Sequence, residues 1–308
     1  MPQVELTNLI RCLEHQKLDV RVSFEDRIKE KPFAVNCYTT AQGTHYHHFP
    51  TADENAPVII LLHALGGNSF NWLPIAAELD DYNLYALDLP SHGQTKDLAV
   101  TEEYTEAYTA WLSDFVAELH IKNPHLVGLS TGGKIAADYA LDGQDVGSLT
   151  MFAPALNPEK GFLFHSIYGL IRSRERKLLK NVGYGVLLRL TARRDPLSKY
   201  AIKMAHNELI RDQARRDYLG LRQTMTWLLE ETDYTSERWR TITEHIPCKA
   251  LFANKDICCP SKNHLYLING GVVCASAINS GHLIPFDNTP ACVVAIKDTV
   301  LRSNKNTG

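Results

Sequence analysis

The stretch HLVGLSTGGK, residues 125–134, carries two chemical patterns at once. Gly128-Leu129-Ser130-Thr131-Gly132 is a G-x-S-x-G, the turn that presents a nucleophilic serine. Gly128 to Lys134 is also G-x-x-x-x-G-K, most of a phosphate-binding loop. A phosphate loop needs Ser or Thr directly after its Lys to hold magnesium, and here that position is Ile135. Such a loop also usually follows the first strand of its sheet, whereas this turn follows about four strand-like segments. The serine reading is the one to carry outward.

On both sides of the turn, apolar strands alternate with helices. APVIILLHALGG (56–67), YNLYALDLP (82–90), PHLVGLS (124–130) and VGSLTMFAPAL (146–156) read as buried strands. SFNWLPIAAEL (69–79), TEEYTEAYTAWLSDFVAELH (101–120) and GGKIAADYAL (132–141) read as helices between them. Continuously apolar strands in this rhythm predict an α/β fold, a mostly parallel central sheet flanked by helices. Upstream, FAVNCYTTAQGTHYHHF predicts two strands joined by a turn at Ala41-Gln42-Gly43. Leu6, Leu9, Ile10 and Leu13 fall at helical spacing. The rhythm stops after Asn157 and resumes at CKALFANKD (248–256), NHLYLING, GVVCASAINSGH and PACVVAIKDTVLR. The expected organisation is an N-terminal helical extension over 1–30, a core over 31–156 and 247–308, and an inserted helical cap over 157–246.

A serine hydroxyl is a poor nucleophile near neutral pH and needs an imidazole as base. The imidazole needs an acid that fixes its tautomer, and the oxyanion needs about two preorganised N–H donors. Open α/β sheets bind ligands at the C-terminal ends of their strands. Asp256 ends one predicted strand there, and His282 follows the next in a Gly-His pair. Asp88 ends another and stands as an alternative acid or helix cap.

Five segments in order now resemble the α/β-hydrolase family. HALGGNSFNW resembles its oxyanion loop, and LDLPSHGQT its D-x-x-G-H-G-x-S segment. GLSTGG resembles its nucleophile elbow, FANKDICCP its acid loop, and NSGHLIPFDNTP its histidine loop. The resemblance implies an α/β-hydrolase fold with an inserted helical cap. It also implies Ser130 as nucleophile, His282 as base and Asp256 as orienting acid. The oxyanion donors would be the backbone N–H groups of Leu65 and Thr131, and no cofactor is needed. Phe70 and Trp72 are candidate pocket residues, with burial in helix packing the other reading. His63 and His92 are expected to brace loops. The layout is also loosely similar to naproxen-type bacterial carboxylesterases. Departures are Ala64 where Gly is usual, Ser91 where Gly is common, Thr95 where Ser is common, and Asn254 and Ile257 around the acid. Serine rather than aspartate at 130 argues against epoxide-hydrolase and dehalogenase chemistry. Leu283 after His282 lowers the weight of carbon–carbon hydrolysis.

The implied function is carboxylic ester cleavage on a small-molecule acyl substrate. A thioester, a lactone or a C–C bond remains open because the machinery is shared. So does a ligand-binding receptor built on a hydrolase scaffold. The 308 residues carry a net charge of −3, which gives no reason to expect nucleic acid as a partner. No apolar run is long enough for a membrane span. The start MPQVELTNLIRCLEHQ lacks a basic, then apolar, signal pattern, so the expected location is cytoplasmic. Seven cysteines with no C-x-x-C argue against a disulfide framework or structural zinc. Cys258-Cys259 could be redox-active, but reads better as small apolar residues at a strand end. His45 and His47 share a strand face, yet no carboxylate or further histidine at a useful spacing joins them, and no metal is expected. Residues 157–246 hold 17 Lys and Arg against 11 Asp and Glu. An anionic acyl group steered by Arg172, Arg174, Arg193 or Arg194 is one reading of that excess, and solvent-facing helices the other. Leu163, Phe164, Ile167, Leu170 and Ile171 could line an acyl pocket.

Overall fold

A computed structural model describes residues 34–98, 103–156, 219–229, 234–256, 258–259 and 265–306. The N-terminal extension and most of the inserted stretch, including its four named arginines and apolar residues, lie outside them.

The described strands form one eight-stranded sheet. They are β1 (Asn36–Thr39), β2 (His45–Phe49), β3 (Val58–Leu62), β4 (Asn83–Leu87), β5 (His125–Leu129), β6 (Ser148–Phe152), β7 (Cys248–Ala253) and β8 (Val273–Ala277), in the order β1-β2-β4-β3-β5-β6-β7-β8. The β1–β2 and β2–β4 pairs are antiparallel and all others parallel. β5 and β6 are buried along their whole length, and β3 along nearly all of it, as expected for strands covered on both faces. The β1–β2 turn falls where Gly43 takes φ +93°, which an L side chain rarely adopts.

The helices are α1 (Leu73–Ala76), α2 (Tyr104–Glu118), α3 (Thr131–Leu141), α4 (Leu219–Leu229), α5 (Ser236–Thr243), α6 (Leu265–Asn269), α7 (Ile284–Asp287) and α8 (Thr289–Asn306). α1, α7 and α8 pack on one another as one layer. α2, α3, α5 and α6 form a second contact chain, with α3 against β3, β5 and β6. SFNWLPIAAEL folds as a 3-10 turn, Ser69–Trp72, and the short α1 rather than one longer helix. Asn68 caps that turn, accepting from the Phe70 N–H, while the Asn71 side chain accepts from the Asn68 N–H. Pro74 then sits at the start of α1, where its missing N–H does no harm. No helix among the described residues is long and apolar enough to cross a membrane.

Trp227 of α4 and Tyr234 beyond it meet α3 in a buried polar knot. The Lys134 ammonium donates to Asp138 (3.0 Å) and to the Tyr234 hydroxyl (2.7 Å), and that hydroxyl donates to Asp138 (2.6 Å). The ammonium also lies 4.4 Å from the centre of a Trp227 ring. This explains the coincidental G-K of the opening stretch: the lysine points into protein and pairs there. The i, i+4 spacing of Lys134 and Asp138 was a readable signal for that pair.

Buried neutral histidine makes the core acid-sensitive. Burial pushes His125, on β5, down to about 4, and its Nδ1 lies 2.9 Å from Ser148 Oγ. A depressed histidine binds fewer protons folded than unfolded. Its contribution is therefore complete above about pH 6.5 and is lost as pH falls toward 4. Replacing His125 with Asn should reduce the slope of unfolding free energy against pH in that window by up to about 1.4 kcal/mol per pH unit. Urea titrations at stepped pH would measure this; an unchanged slope would mean that His125 takes up its proton in the folded state.

Candidate active site

Ser130 stands between β5 and α3 at φ 53°, ψ −111°, a conformation that costs a non-glycine residue about 1–3 kcal/mol. The surroundings impose it. Its N–H donates to Phe152 O (2.9 Å), while its carbonyl accepts from Lys134 and Ala155 (both 3.0 Å). The flanking glycines are steric requirements. A Cβ on Gly132 would lie 2.1 Å from Leu62 O, and one on Gly128 would lie 2.2 Å from Gly132 O. Gly132→Ala should therefore lower stability by about 2–3 kcal/mol, seen as a lower urea midpoint; a shift below about 0.5 kcal/mol would mean the turn packs differently.

Asp256 follows β7 and His282 follows β8, and the fold brings them together: His282 Nδ1 lies 2.8 Å from Asp256 Oδ2. Asp256 Oδ1 accepts from the backbone N–H groups of Cys258 (2.7 Å) and Cys259 (3.0 Å). Burial works to raise this carboxyl. The His282 ring and the two amides outweigh it and hold Asp256 below the ordinary carboxylate range. The histidine loop is itself held, with Lys255 N–H on Ser280 O (3.0 Å) and Gly281 N–H on Asp287 Oδ2 (2.7 Å). Ser130, Asp256 and His282 are each buried with a small exposed remainder, 7–8%. Asp88 is engaged elsewhere. Its two oxygens accept from Ser69 N–H (2.7 Å) and Gln94 N–H (2.9 Å), bracing two loops.

Leu65 lies in the loop after β3. His63 Nδ1–H donates to Ala64 O (2.7 Å) and its Nε2 accepts from Leu89 N–H (2.9 Å). His92 repeats the pattern, Nδ1–H to Pro90 O (2.9 Å) and Nε2 from Gly66 N–H (3.1 Å). Two neutral histidines thus clip the loop after β3 to the loop after β4. Burial, with His92 alongside, pushes His63 down to about 3, so it keeps this form across neutral pH. Thr131 is the first residue of α3, where a helix N–H has no acceptor within the helix. Gly132 N–H donates to His63 O (3.1 Å), tying the two candidate donor segments together.

Ser91 sits at φ 61°, which accounts for glycine being common there. Its hydroxyl donates to Gln223 of α4 (2.8 Å). Trp72 is fully buried and packed near Phe152. Phe70 is half-buried against the His47 ring. Burial and then Asp256 push the Cys258 thiol up to about 12 and also raise the Cys259 thiol well above its ordinary value. Both behave as the apolar residues of the sequence reading. The tie between Ser91 and α4 carries no pattern in the sequence.

The model of the alpha/beta hydrolase family matches residues 59–295. The chain belongs to the alpha/beta hydrolase family. A stretch of 98 residues, 32% of the chain, is 34% identical to the 2-succinyl-6-hydroxy-2,4-cyclohexadiene-1-carboxylate synthase of Yersinia enterocolitica, covering 35% of that protein. The aligned part of the chain spans about a third of the length of the curated relatives it matches. Among solved structures, the enol-lactonase of Burkholderia xenovorans LB400 is similar at a TM-score of 0.71 and 16% identity, over 86% of this chain and 100% of that one. The naproxen esterase of Bacillus subtilis is similar at 0.64 and 18%, over 89% and 94%. At such identities these structures share the family's fold, and their substrates belong to them.

Proposed function

We propose that this alpha/beta hydrolase is a serine hydrolase that cleaves a carboxylic ester of a small acyl substrate through an acyl-enzyme. The reading rests chiefly on the Asp256–His282 pair, 2.8 Å apart at the strand ends of a sheet whose β5 terminates in the strained Ser130 turn. In this reading His282 takes the Ser130 proton through Nε2 as the oxygen attacks the carbonyl. The N–H groups of Leu65 and Thr131 hold the oxyanion, and Asp256 keeps the ring's other proton on Nδ1. His282 then protonates the leaving alcohol. A water deprotonated by the same ring releases the acid. Residues 157–246 act as the cap that shapes the acyl pocket.

The test is turnover of p-nitrophenyl esters of increasing chain length, together with a fluorophosphonate label mapped by mass spectrometry. The expected result is saturable turnover with one preferred length and a single label on Ser130. No turnover of any ester and no label would overturn the reading.

The synthase relatives favour a second reading, in which the same side chains serve the formation of a succinyl-hydroxycyclohexadiene carboxylate instead of ester hydrolysis. Labelling at Ser130 with formation of that carboxylate, and no turnover of the esters, would select it.

A further inference from the structure

The β1–β2 hairpin holds a second cluster of side chains able to ligate a metal, none of them Ser130, Asp256 or His282. Side chains at 45 and 47 lie on one face of β2, as their spacing predicts. The register sets Cys37 opposite His47 and Thr39 opposite His45, so the same face of β1 adds a thiol to the two imidazoles. One ligand atom from each of Cys37, His45 and His47 falls within 4.8 Å of the others, and Cys37 Sγ lies 3.4 Å from His45 Nε2. Zinc holds sulfur at about 2.3 Å and imidazole nitrogen at about 2.0–2.1 Å, so a 3.4 Å sulfur–nitrogen separation subtends roughly 100° at the metal, near the tetrahedral angle.

The other ring nitrogens are already supported. His45 Nδ1 lies 3.2 Å from Thr39 Oγ1, and His47 Nδ1 lies 2.7 Å from Ser69 Oγ. With each Nδ1–H donating to its hydroxyl, both Nε2 atoms are acceptors, as in ligating histidines; that of His45 accepts from the Gln94 amide, which a metal would displace. Both histidines are buried. Asp88 is close enough to act on the charge of all three groups, with both oxygens occupied by backbone N–H donors. It therefore offers outer-sphere negative charge to a cation. The amide of Gln94 borders the cluster, 3.2 Å from His45 Nε2.

We propose that Cys37, His45 and His47 form a site for a borderline-soft divalent cation of the zinc class, cross-linking β1 to β2. Nitrogen and thiolate donors select such ions over magnesium or calcium. Binding displaces the Cys37 thiol proton to solvent, so affinity falls as pH is lowered.

The test starts from the full chain, stripped with a chelator under reducing conditions and titrated with cobalt(II) and then zinc. The expected result is one equivalent bound, with a thiolate-to-cobalt charge-transfer band that zinc abolishes. Cys37→Ser should remove the band and weaken zinc binding at least about tenfold. Cys258→Ala, at the Asp256–His282 pair, should retain both. Thr39→Val should weaken binding about tenfold while leaving the band in place. A readout that needs no variant is alkylation: zinc should protect Cys37 of the wild-type protein from iodoacetamide. The proposal is overturned if no stoichiometric binding occurs, if the band survives in Cys37→Ser, or if zinc leaves Cys37 alkylation unchanged.

Discussion

Replacing Ser130 with Ala is expected to lower kcat/KM for the preferred p-nitrophenyl ester by on the order of 10^4-fold or more. The residue is removed as a nucleophile and little else changes. Its side chain makes no capping hydrogen bond to α3, and alanine tolerates φ 53° no worse than serine. The urea midpoint should therefore stay within about 0.5 kcal/mol of wild type. Activity and stability then separate cleanly. Near-wild-type turnover would dismiss Ser130 as the nucleophile, whereas joint loss of stability and turnover would point to a structural role for the turn.

Asp256→Asn should reduce kcat by about 10^3–10^4-fold with little change in KM. The backbone dictates why. The amides of Cys258 and Cys259 donate to one carboxylate oxygen, so an asparagine must keep its oxygen there. Its NH2 group then faces His282 Nδ1, where Asp256 Oδ2 had accepted. A donor in that place moves the ring proton to Nε2, the atom that should receive the proton of Ser130. Stability shifts too. A carboxyl held below its ordinary range contributes stability above about pH 4 and loses it as pH falls through the depressed value. The variant lacks this contribution, so its stability deficit against wild type should be present at neutral pH and narrow under strong acid. An unchanged kcat would move the acid role elsewhere, with Asp88 the other strand-end carboxylate.

Much of this molecule was legible before any coordinates, for definite reasons. Strands covered on both faces must be continuously apolar, so β3, β5 and β6 announce themselves, and the Gly43 turn marks the β1–β2 hairpin. Ser130 was legible because the turn constrains its neighbours: Gly128 and Gly132 are steric necessities. His282 and Asp256 could be named from their positions at strand ends, but their contact belongs to the loops after β7 and β8. What escaped depends on pairing between segments. The residue joining His45 and His47 is a cysteine on the neighbouring strand, placed by register rather than by spacing along one strand. Trp72 reads equally as pocket or core until the sheet beneath it is drawn. Tyr234 and Trp227 meet Lys134 through contacts between segments about a hundred residues apart in the sequence.

The pairing of β6 with β7 bears on how such a chain can vary. β6 and β7 are direct neighbours, with Phe152 in register with Leu251, although the chain between them runs through the whole inserted segment. The entropy of closing a loop grows only with the logarithm of its length, so doubling the insertion costs about 0.6 kcal/mol. The sheet is nearly indifferent to how much chain is spliced in at that point. Lineages can therefore lengthen or shorten the chain between β6 and β7, while the residues that hold Ser130, Asp256 and His282 stay in the same frame.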